Sequence, residues 1–416
     1  MSFEIKKATL GDFLNFKNGK KSPERADNAS FPVFGSNGLI GRAESTNCPE
    51  NTIVIGRVGS YCGSVHFSKE KCWVSDNAIS CSSKNAGEEH FWFYVLTKLN
   101  LNQFSSGSGQ PLLNQATLNA VECEVPNNSP LRALIGSVLN DYDKKIKLNA
   151  ATNQTLEEMA QAIFKSWFVD FDPVKAKMNG EQPEGMDEAT ASLFPEKLVE
   201  SELGLIPEGW DAGTVGNVTA AKGGYAFKSK QFVDEGNPVI KIKNITSAGT
   251  VTTSDCQCVD DDIAKTASRF KLSDGDLLMA MTGATVGKSG IYVSDGRDGY
   301  LNQRVARFES KVDSTQPCWF TYNLVNKDSI FEQIVGAAQG SAQPNISSKG
   351  IEQVKTVIPT FDLISKYQEL VAPLYAKWIS NFRENSQLSE LRDTLLPKLL
   401  SGEIELGQAQ ELAEVE

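Results

Sequence analysis

One stretch of the sequence has the residue types of a phosphate-binding loop: residues 283–289, which read GATVGKS. Such a loop needs about four residues between its glycines, then Lys and Ser or Thr, and a following helix whose backbone amides point at the phosphate. Here three residues separate Gly283 from Gly287, and residues 290–293 (GIYV) have a strand pattern. The spacing and the context argue against nucleotide hydrolysis and favour a tight turn beside which Lys288 is exposed.

Residues that usually carry nucleophilic or metal chemistry are sparse. His66 and His90 are the two histidines, and only Cys256 and Cys258 are close neighbours among the eight cysteines. Zinc sites use paired cysteines or Cys and His clusters, and nucleophilic triads need a histidine oriented by a third group. The Asn-Pro-Pro-aromatic type of motif that holds a flipped adenine is also missing. We therefore expect no catalytic residue, no metal site and reduced thiols.

The composition is that of a soluble globular protein, with 416 residues of which 40% are hydrophobic and 22% charged. This length predicts two or three domains. No apolar run approaches the roughly 18 residues of a membrane span, and the first residues lack the apolar region of a secretory signal. We therefore expect a cytoplasmic protein without membrane contact.

An internal repeat sets the domain organisation. The glycine-containing stretch 55–63 matches residues 279–287 at an offset of 224, and Gln110-Pro111 matches Gln343-Pro344 at an offset of 233. Because the order is kept while the offset grows, each half carries a related globular module. Short β-branched runs bounded by Gly, Asn and Asp predict that both modules are mixed α and β.

Each module is followed by a long segment with heptad spacing, which predicts two helices of about 60 Å that pack on each other as a coiled coil. Two asparagines in each seam would specify register if buried, and the alternative places them on a solvated flank. Pro373 and Pro397 predict a kink or an end in the second helix. The seam positions are Tyr142, Ile146, Asn149, Asn153, Leu156, Ala160, Ile163 and Trp167, and, 232 residues later, Leu374, Trp378, Asn381, Asn385, Leu388, Arg392, Leu395 and Leu399.

The helix motifs LEEMAQAIFKSWFVDFDPVKAK (156–177) and LRDTLLPKLLSGEI (391–404), with IPEGW (206–210) opening the second module, resemble the specificity subunit of type I restriction-modification systems. The resemblance covers nearly the whole chain. It implies an α+β fold: two mixed α/β target-recognition domains separated by two long helices, which pack as an antiparallel coiled coil with a pseudo-twofold internal repeat. The predicted boundaries are 1–130 and 210–360 for the target-recognition domains, 131–171 and 361–405 for the helices, 172–209 for a connector with little core, and 406–416 for a flexible tail.

The resemblance also implies a function. Each target-recognition domain would read one half of a split site in double-stranded DNA, with helix length setting the spacer. The helices would dock two modification subunits, which carry S-adenosylmethionine and methylate adenine, and through them restriction subunits that use ATP and Mg. The chain itself would bind no cofactor and would not be catalytic.

Base readout needs Arg or Lys for guanine and Asn or Gln for adenine on exposed loops, with other basic residues on phosphates. An ordinary solvated surface position is the alternative for each candidate. The candidates are Lys17, Lys20, Lys21, Asn37, Arg57, Ser60, Tyr61 and Gln110 in the first module, and Lys222, Tyr225, Lys228, Lys241, Lys243, Asn244, Thr285, Lys288, Arg304 and Gln343 in the second.

The net charge of −11 at first argues against a partner held through its phosphates. However, residues 1–130 hold 12 basic and 12 acidic residues, and residues 211–360 hold 16 of each. The acidic excess therefore lies outside the modules. We expect weak DNA binding by this chain alone, with basic partner subunits supplying much of the electrostatic attraction.

Two other functions stay open on the sequence alone. The first is a protein scaffold built on the paired helices, whose modules do not touch DNA. Unchanged DNA affinity after replacement of Arg57 and Lys288 would favour it. The second is nucleotide hydrolysis through Lys288, which would require ATP turnover by the isolated chain.

Overall fold

The computed structural model of the chain describes residues 4–107, 109–313, 317–338 and 344–401. The chain folds into two compact units. Unit 1 takes the described residues of 1–147 and 387–416, and unit 2 takes those of 148–386. None of the helices in these described ranges combines the length and the apolar character that a membrane crossing requires.

Unit 1 is built from small sheets and short helices. Its core contains Phe91 and Trp92 from helix Glu89–Lys98. Its four-stranded antiparallel sheet has the order Leu14–Asn18, Ala78–Ser83, Thr52–Gly56 and Val65–Ser68. A three-stranded sheet has the order Gly38–Ala43, Phe31–Gly35 and Trp73–Val74, and a separate strand pair joins Ile5–Thr9 to Glu122–Pro126. Two further short helices are Leu10–Phe13 and Gln115–Ala120.

Unit 2 repeats this plan with more strands. Its five-stranded sheet has the order Thr219–Gly223, Val305–Ser310, Leu277–Ala280, Ser289–Tyr292 and Thr250–Val251. A three-stranded sheet has the order Cys258–Val259, Asn237–Ile240 and Tyr300–Leu301, and a separate strand pair joins Asp211–Thr214 to Lys355–Ile358. Its short helices are Val215–Val218, Asp261–Thr266, Trp319–Val325, Asp328–Ala337 and Ser348–Glu352.

The two long helices are Ser129–Phe168, called the first long helix, and Phe361–Ser401, called the second. The first ends at Phe168, before the predicted residue 171, and Phe171 has a left-handed backbone with φ 57°. The second continues through Pro373 and Pro397, so of the predicted kink or end at each proline, the end is excluded. Each proline lacks a backbone N–H and so removes one hydrogen bond of the helix. Buried neighbours such as Tyr375 and Leu396 keep the helix packed at these positions. The predicted tail 406–416 lies outside the described residues.

The prediction that residues 172–209 carry little core is also wrong. They form helices Asp172–Met178 and Glu188–Ser192 and the hairpin Leu198–Ser201 with Gly204–Pro207. Val174, Phe194 and Ile206 from this segment are buried in the core of unit 2. The apolar residues of this segment are isolated between turn residues and show neither a heptad nor a strand period. Periodicity in the sequence therefore does not reveal that they are buried.

Three of the four seam asparagines are buried: Asn149 is 3% exposed, Asn153 9% and Asn381 1%, so these three do not lie on a solvated flank. Asn385 is half-buried, and its Oδ1 accepts a hydrogen bond from Nδ2 of Asn149 at 3.0 Å. Asn381 donates from Nδ2 to Oδ1 of Asn153 at 2.9 Å, and Asn153 donates to the carbonyl of Trp378 at 3.0 Å. Asn149 donates to Oε2 of Glu384 at 2.8 Å. These bonds join the two long helices directly and fix their register within the unit.

Pairing across the seam shows that the helices run antiparallel within unit 2, because Asn153 meets Asn381 while the later Ala160 accepts a hydrogen bond from Tyr367. In unit 1, the seam position of Arg392 is charged, and its guanidinium forms an ion pair with the Asp143 carboxylate at 2.7 Å. The α+β fold class is confirmed, with two mixed modules, an internal repeat and two long helices.

Replacing Asn153 with Leu is expected to destabilise unit 2 by about 1–3 kcal/mol, because it leaves a buried polar group unpaired. The unpaired group is the Asn381 side-chain amide, whereas the Trp378 carbonyl keeps the backbone hydrogen bond of its own helix. The double variant Asn153→Leu/Asn381→Leu should regain most of this loss. Urea unfolding measures both, with Gln154→Leu as the control at an exposed neighbour. Equal effects of Asn153→Leu and Gln154→Leu would contradict the register role.

Candidate nucleic-acid interface

A glycine turn follows the central strand of unit 1. Residues Gly59–Tyr61 form one short helical turn after strand Thr52–Gly56, and Gly59 and Gly63 have φ of 75° and 87°. The Gly59 amide donates to the carbonyl of Pro111 at 3.0 Å, and the Leu113 amide donates to the carbonyl of Arg57 at 2.9 Å. The structure therefore places the Gln-Pro stretch, distant in sequence, directly on the glycine turn.

The same turn is built in unit 2. Gly283 and Gly287 have φ of 78° and 84°, and the Gly283 amide donates to the carbonyl of Pro344 at 2.9 Å. Strand Ser289–Tyr292 follows the turn directly. A phosphate-binding loop would be followed by a helix, so the prediction of a tight turn is confirmed.

A short segment in each unit, called the crossing segment, holds the surrounding loops together. In unit 1 it is residues 74–78. The Lys20 amide donates to the Val74 carbonyl at 3.0 Å, and the Arg57 amide donates to the Asn77 carbonyl at 3.0 Å. The Ser36 hydroxyl donates to that same Asn77 carbonyl. A Cβ at Gly19 would lie 2.0 Å from the Ser75 carbonyl oxygen, so only glycine permits this approach.

The crossing segment of unit 2 is residues 301–305. The Tyr225 amide donates to the Leu301 carbonyl at 2.8 Å, and the Met281 amide donates to the Arg304 carbonyl at 3.0 Å. A Cβ at Gly224 would lie 2.2 Å from the Leu301 carbonyl oxygen. Each unit thus brings three parts into one surface, called here the turn cluster: its glycine turn, its crossing segment and the residues that follow one edge strand. That edge strand is Leu14–Asn18 in unit 1 and Thr219–Gly223 in unit 2.

Most predicted residues of unit 1 are exposed around this turn cluster, where Tyr61 is 52% exposed. Arg57 is half-buried, and its guanidinium donates to the Asp76 carbonyl at 3.3 Å while its Nε has no partner. The predicted residues that are exposed in unit 1 are Lys17, Lys20, Lys21, Asn37, Ser60, Tyr61 and Gln110.

In unit 2 one prediction is wrong. Asn244 is 2% exposed, and its side-chain oxygen accepts the Lys241 amide at 2.9 Å, so it caps the turn Ile242–Asn244 and is not available to bases. Gln343 lies outside the described residues. Lys222, Lys228, Lys243 and Arg304 are exposed, and Tyr225, Lys241, Thr285 and Lys288 are half-buried.

Two predicted lysines of unit 2 are held by intramolecular contacts. The Lys241 ammonium lies 3.8 Å from the ring centroid of Phe232, and burial, with help from the nearby Lys243, lowers the pKa of Lys241. Lys243 donates to the Asp255 carbonyl at 2.9 Å. Contact with phosphates would require these lysines to exchange partners, which makes Arg304 the better-presented cation of this surface.

Two residues of the right type were missed. Asn77 and Gln303 are exposed on the crossing segments, beside the base-reading positions already predicted. The internal repeat could have identified both residues, because residues 73–77 align with residues 300–304 at an offset of 227. In this alignment Asn77 is equivalent to Arg304. That match contains no identical glycine, so it is visible only after the backbone bonds are compared.

In the described ranges, no group of three or more His, Cys, Asp or Glu side chains is placed so that it could hold a metal ion. His66 contacts the Ser64 hydroxyl at 3.1 Å, and burial lowers the pKa of His66.

The duplicated turn clusters and the paired long helices define a class of proteins with two related modules and two long helices. The family model described as "Type I restriction modification DNA specificity domain" matches residues 4–158 and again residues 207–365. The chain therefore belongs to the family of type I restriction-modification specificity subunits.

Relatives support this assignment along most of the chain. The HindI specificity subunit of Haemophilus influenzae is 25% identical over 336 residues, which is 71% of each chain. The MjaIX specificity subunit of Methanocaldococcus jannaschii is 25% identical over 354 residues, covering 83% of this chain and 76% of the relative. The crystal structure of the type I S subunit from M. genitalium matches with a TM-score of 0.64 and 16% identity over 96% of each chain, which shows the shared fold.

Proposed function

We propose that this chain reads a bipartite sequence in double-stranded DNA, with one half-site contacted by each turn cluster. The observation that carries the proposal is that the two clusters share their backbone hydrogen bonds but differ in exposed side chains. Asn77 in unit 1 stands where unit 2 has Arg304, and Tyr61 stands where unit 2 has Thr285. A common frame with different polar side chains is what reading two unlike half-sites requires.

The residue types suggest which contacts each cluster makes. Arg304 is exposed and suits bidentate bonds to guanine, whereas Asn77, Gln110 and Gln303 suit adenine. Lys17 lies in strand Leu14–Asn18 of unit 1, Lys20 and Lys21 follow it, and all three suit phosphates. Because the modules carry no net positive charge, much of the electrostatic attraction to DNA would come from partner subunits.

The proposed partners are two modification subunits docked on the long helices and, through them, restriction subunits. Membership of the family of type I restriction-modification specificity subunits supports these partners. S-adenosylmethionine would be bound by the modification subunits, and ATP and Mg by the restriction subunits, so that this chain is a non-catalytic cytoplasmic component. The experiment that tests the whole proposal is mapping of adenine methylation by the chain with its modification subunit.

Replacing Arg304 with Ala is expected to weaken recognition at one half-site by about 1–3 kcal/mol, because a bidentate contact to guanine is lost. Asn77→Ala, at the equivalent position of unit 1, should affect the other half-site alone. Both are measured by methylation of oligonucleotides with single substitutions in each half-site. Lys265→Ala is the control, since this exposed lysine pairs with Asp262 on its own helix. Unchanged DNA recognition in both variants would instead favour the protein-scaffold alternative.

A further inference from the structure

Two cysteines of unit 1 face each other across a pair of backbone hydrogen bonds. The Cys48 amide donates to the Cys72 carbonyl at 3.0 Å, and the Cys72 amide donates back to the Cys48 carbonyl at 3.2 Å. Residues that exchange both bonds in an antiparallel bridge have Cα atoms about 5.5 Å apart. That separation lies within the roughly 4.4–6.8 Å range of disulfides. The backbone thus holds the two cysteines at a Cα separation compatible with a disulfide.

The two thiols differ in exposure and in acidity. Cys48 is half-buried and Cys72 is buried. A hydrogen bond from the Cys72 thiol lowers the pKa of Cys48 to about 7 against the opposing effect of burial, with smaller contributions from Ser80 and Lys17. Burial instead raises the pKa of Cys81, so the pairing distinguishes Cys48 from an ordinary core cysteine. The thiolate is the nucleophilic form.

We propose that Cys48 and Cys72 form a redox-active dithiol that hydrogen peroxide closes to a disulfide. The Cys48 thiolate attacks one peroxide oxygen, the O–O bond breaks, and the released hydroxide takes a proton to give water and a Cys48 sulfenic acid. The Cys72 sulfur then attacks the Cys48 sulfur, forming the S–S bond and releasing a second water that carries the Cys72 proton. Two thiols are oxidised and one peroxide is reduced to two waters.

The pair is attached to the crossing segment of unit 1. The Asn47 side chain donates to the Val74 carbonyl at 2.9 Å and accepts the Val74 amide at 2.8 Å, so the strands carrying both cysteines are tied to residue 74. Cross-strand Cβ atoms about 4.5–5.5 Å apart must approach to about 3.8 Å in a disulfide. The resulting shift passes to Val74–Asn77 and so to the proposed DNA contacts, a consequence that rests on the proposed function.

The equivalent place in unit 2 has a related backbone hydrogen bond and carries no thiols. The Leu272 amide donates to the Gly299 carbonyl at 2.8 Å, and these residues occupy the places of Cys48 and Cys72 in the repeat. Oxidation at this site should therefore act on the half-site read by unit 1 and leave the other unchanged. Recognition by unit 2 therefore serves as an internal control for the effect of oxidation on unit 1.

The first experiment maps thiols in the full chain after hydrogen peroxide treatment, with alkylation in denaturant and peptide mass spectrometry. Trypsin cleavage after Arg57 and Lys71 separates Cys48 from Cys72, and a Cys81→Ser background leaves one cysteine in the second peptide. The expected result is a Cys48–Cys72 linked peptide that dithiothreitol removes and that is lost in Cys48→Ser. Full alkylation of both cysteines, or Cys48 oxidised without a link to Cys72, would overturn the proposal.

The second experiment measures methylation of oligonucleotides with substitutions in either half-site, before and after oxidation. Discrimination at the unit 1 half-site should fall about tenfold, corresponding to 1.4 kcal/mol, and return with dithiothreitol, while Cys48→Ser stays unaffected. Equal losses at both half-sites, or none, would overturn the link between the dithiol and recognition even where the disulfide forms. Failure of the reduced complex to recognise any bipartite site counts against the proposed function alone, since the thiol map does not depend on DNA.

Discussion

Replacing Arg132 with Met is expected to destabilise unit 1 by about 3–5 kcal/mol, because it leaves a buried carboxylate without its counter-charge. Arg132 is 3% exposed and Glu88 0%, and the guanidinium contacts Oε1 of Glu88 at 2.8 Å and Oε2 at 3.1 Å. Arg132 also donates to the Pro126 carbonyl at 2.6 Å, which ties the start of the first long helix to the end of a strand.

Three variants separate the ion pair from general packing. Arg132→Met/Glu88→Gln should recover most of the loss, because an uncharged amide no longer needs a cation and its oxygen still accepts from Trp92. Lys7→Met removes an exposed ion pair with Glu124 and should change little. Urea unfolding of the full chain measures all three. A double variant no more stable than Arg132→Met would show that lost packing, and not the unpaired charge, causes the destabilisation.

The same pair predicts a pH dependence. Burial acts to raise the pKa of Glu88, but hydrogen bonds from Arg132, Ser129 and Trp92 outweigh it and hold the pKa below its ordinary value. A carboxyl whose pKa is lowered by folding contributes stability that is present above its unfolded pKa of about 4.3 and lost as the pH falls through the folded value. Acidification below about pH 4.3 should therefore cost the wild-type chain more stability than the Arg132→Met/Glu88→Gln variant.

Periodic features of the fold were predictable from the sequence, and the turn clusters only in part. The heptads placed Asn149, Asn153 and Asn381 in the seam, because a helix repeats its contacts at fixed spacing. The glycine turn was predicted for a similar reason, since Gly283 and Gly287 recur at matching positions of Gly59 and Gly63.

Contacts between distant segments were not predictable in this way. Glu88 and Arg132 are 44 residues apart, and neither belongs to a repeated pattern. Asn244 has the residue type of a base-reading side chain, yet one backbone amide, that of Lys241, turns it inward. Residue type indicates which chemistry a side chain can perform, whereas its availability depends on tertiary hydrogen bonds that the local sequence does not encode.

Lengthening both long helices by one heptad is expected to lengthen the spacer between half-sites by about 3 base pairs, since seven residues extend a helix by about 10 Å. The insertions follow Lys147 and Ser386, so that the Asn153–Asn381 contact keeps its register. Sequencing of adenine methylation by the variant with its modification subunit gives spacer and half-sites together. Because about three base pairs also turn the duplex by roughly a third of a turn, the methylation rate should fall.

A heptad inserted after Lys147 alone is the matched control for this prediction. It lengthens one helix while the other keeps its length, so pairs such as Asp143 with Arg392 in unit 1 lose their register and stability should drop without a defined new spacer. The turn clusters contain no residue of either insertion point, so the sequence of each half-site should stay the same in the paired variant. Altered half-sites at an unchanged spacer would mean that the helices determine which bases are read, and the spacing role proposed for them would be wrong.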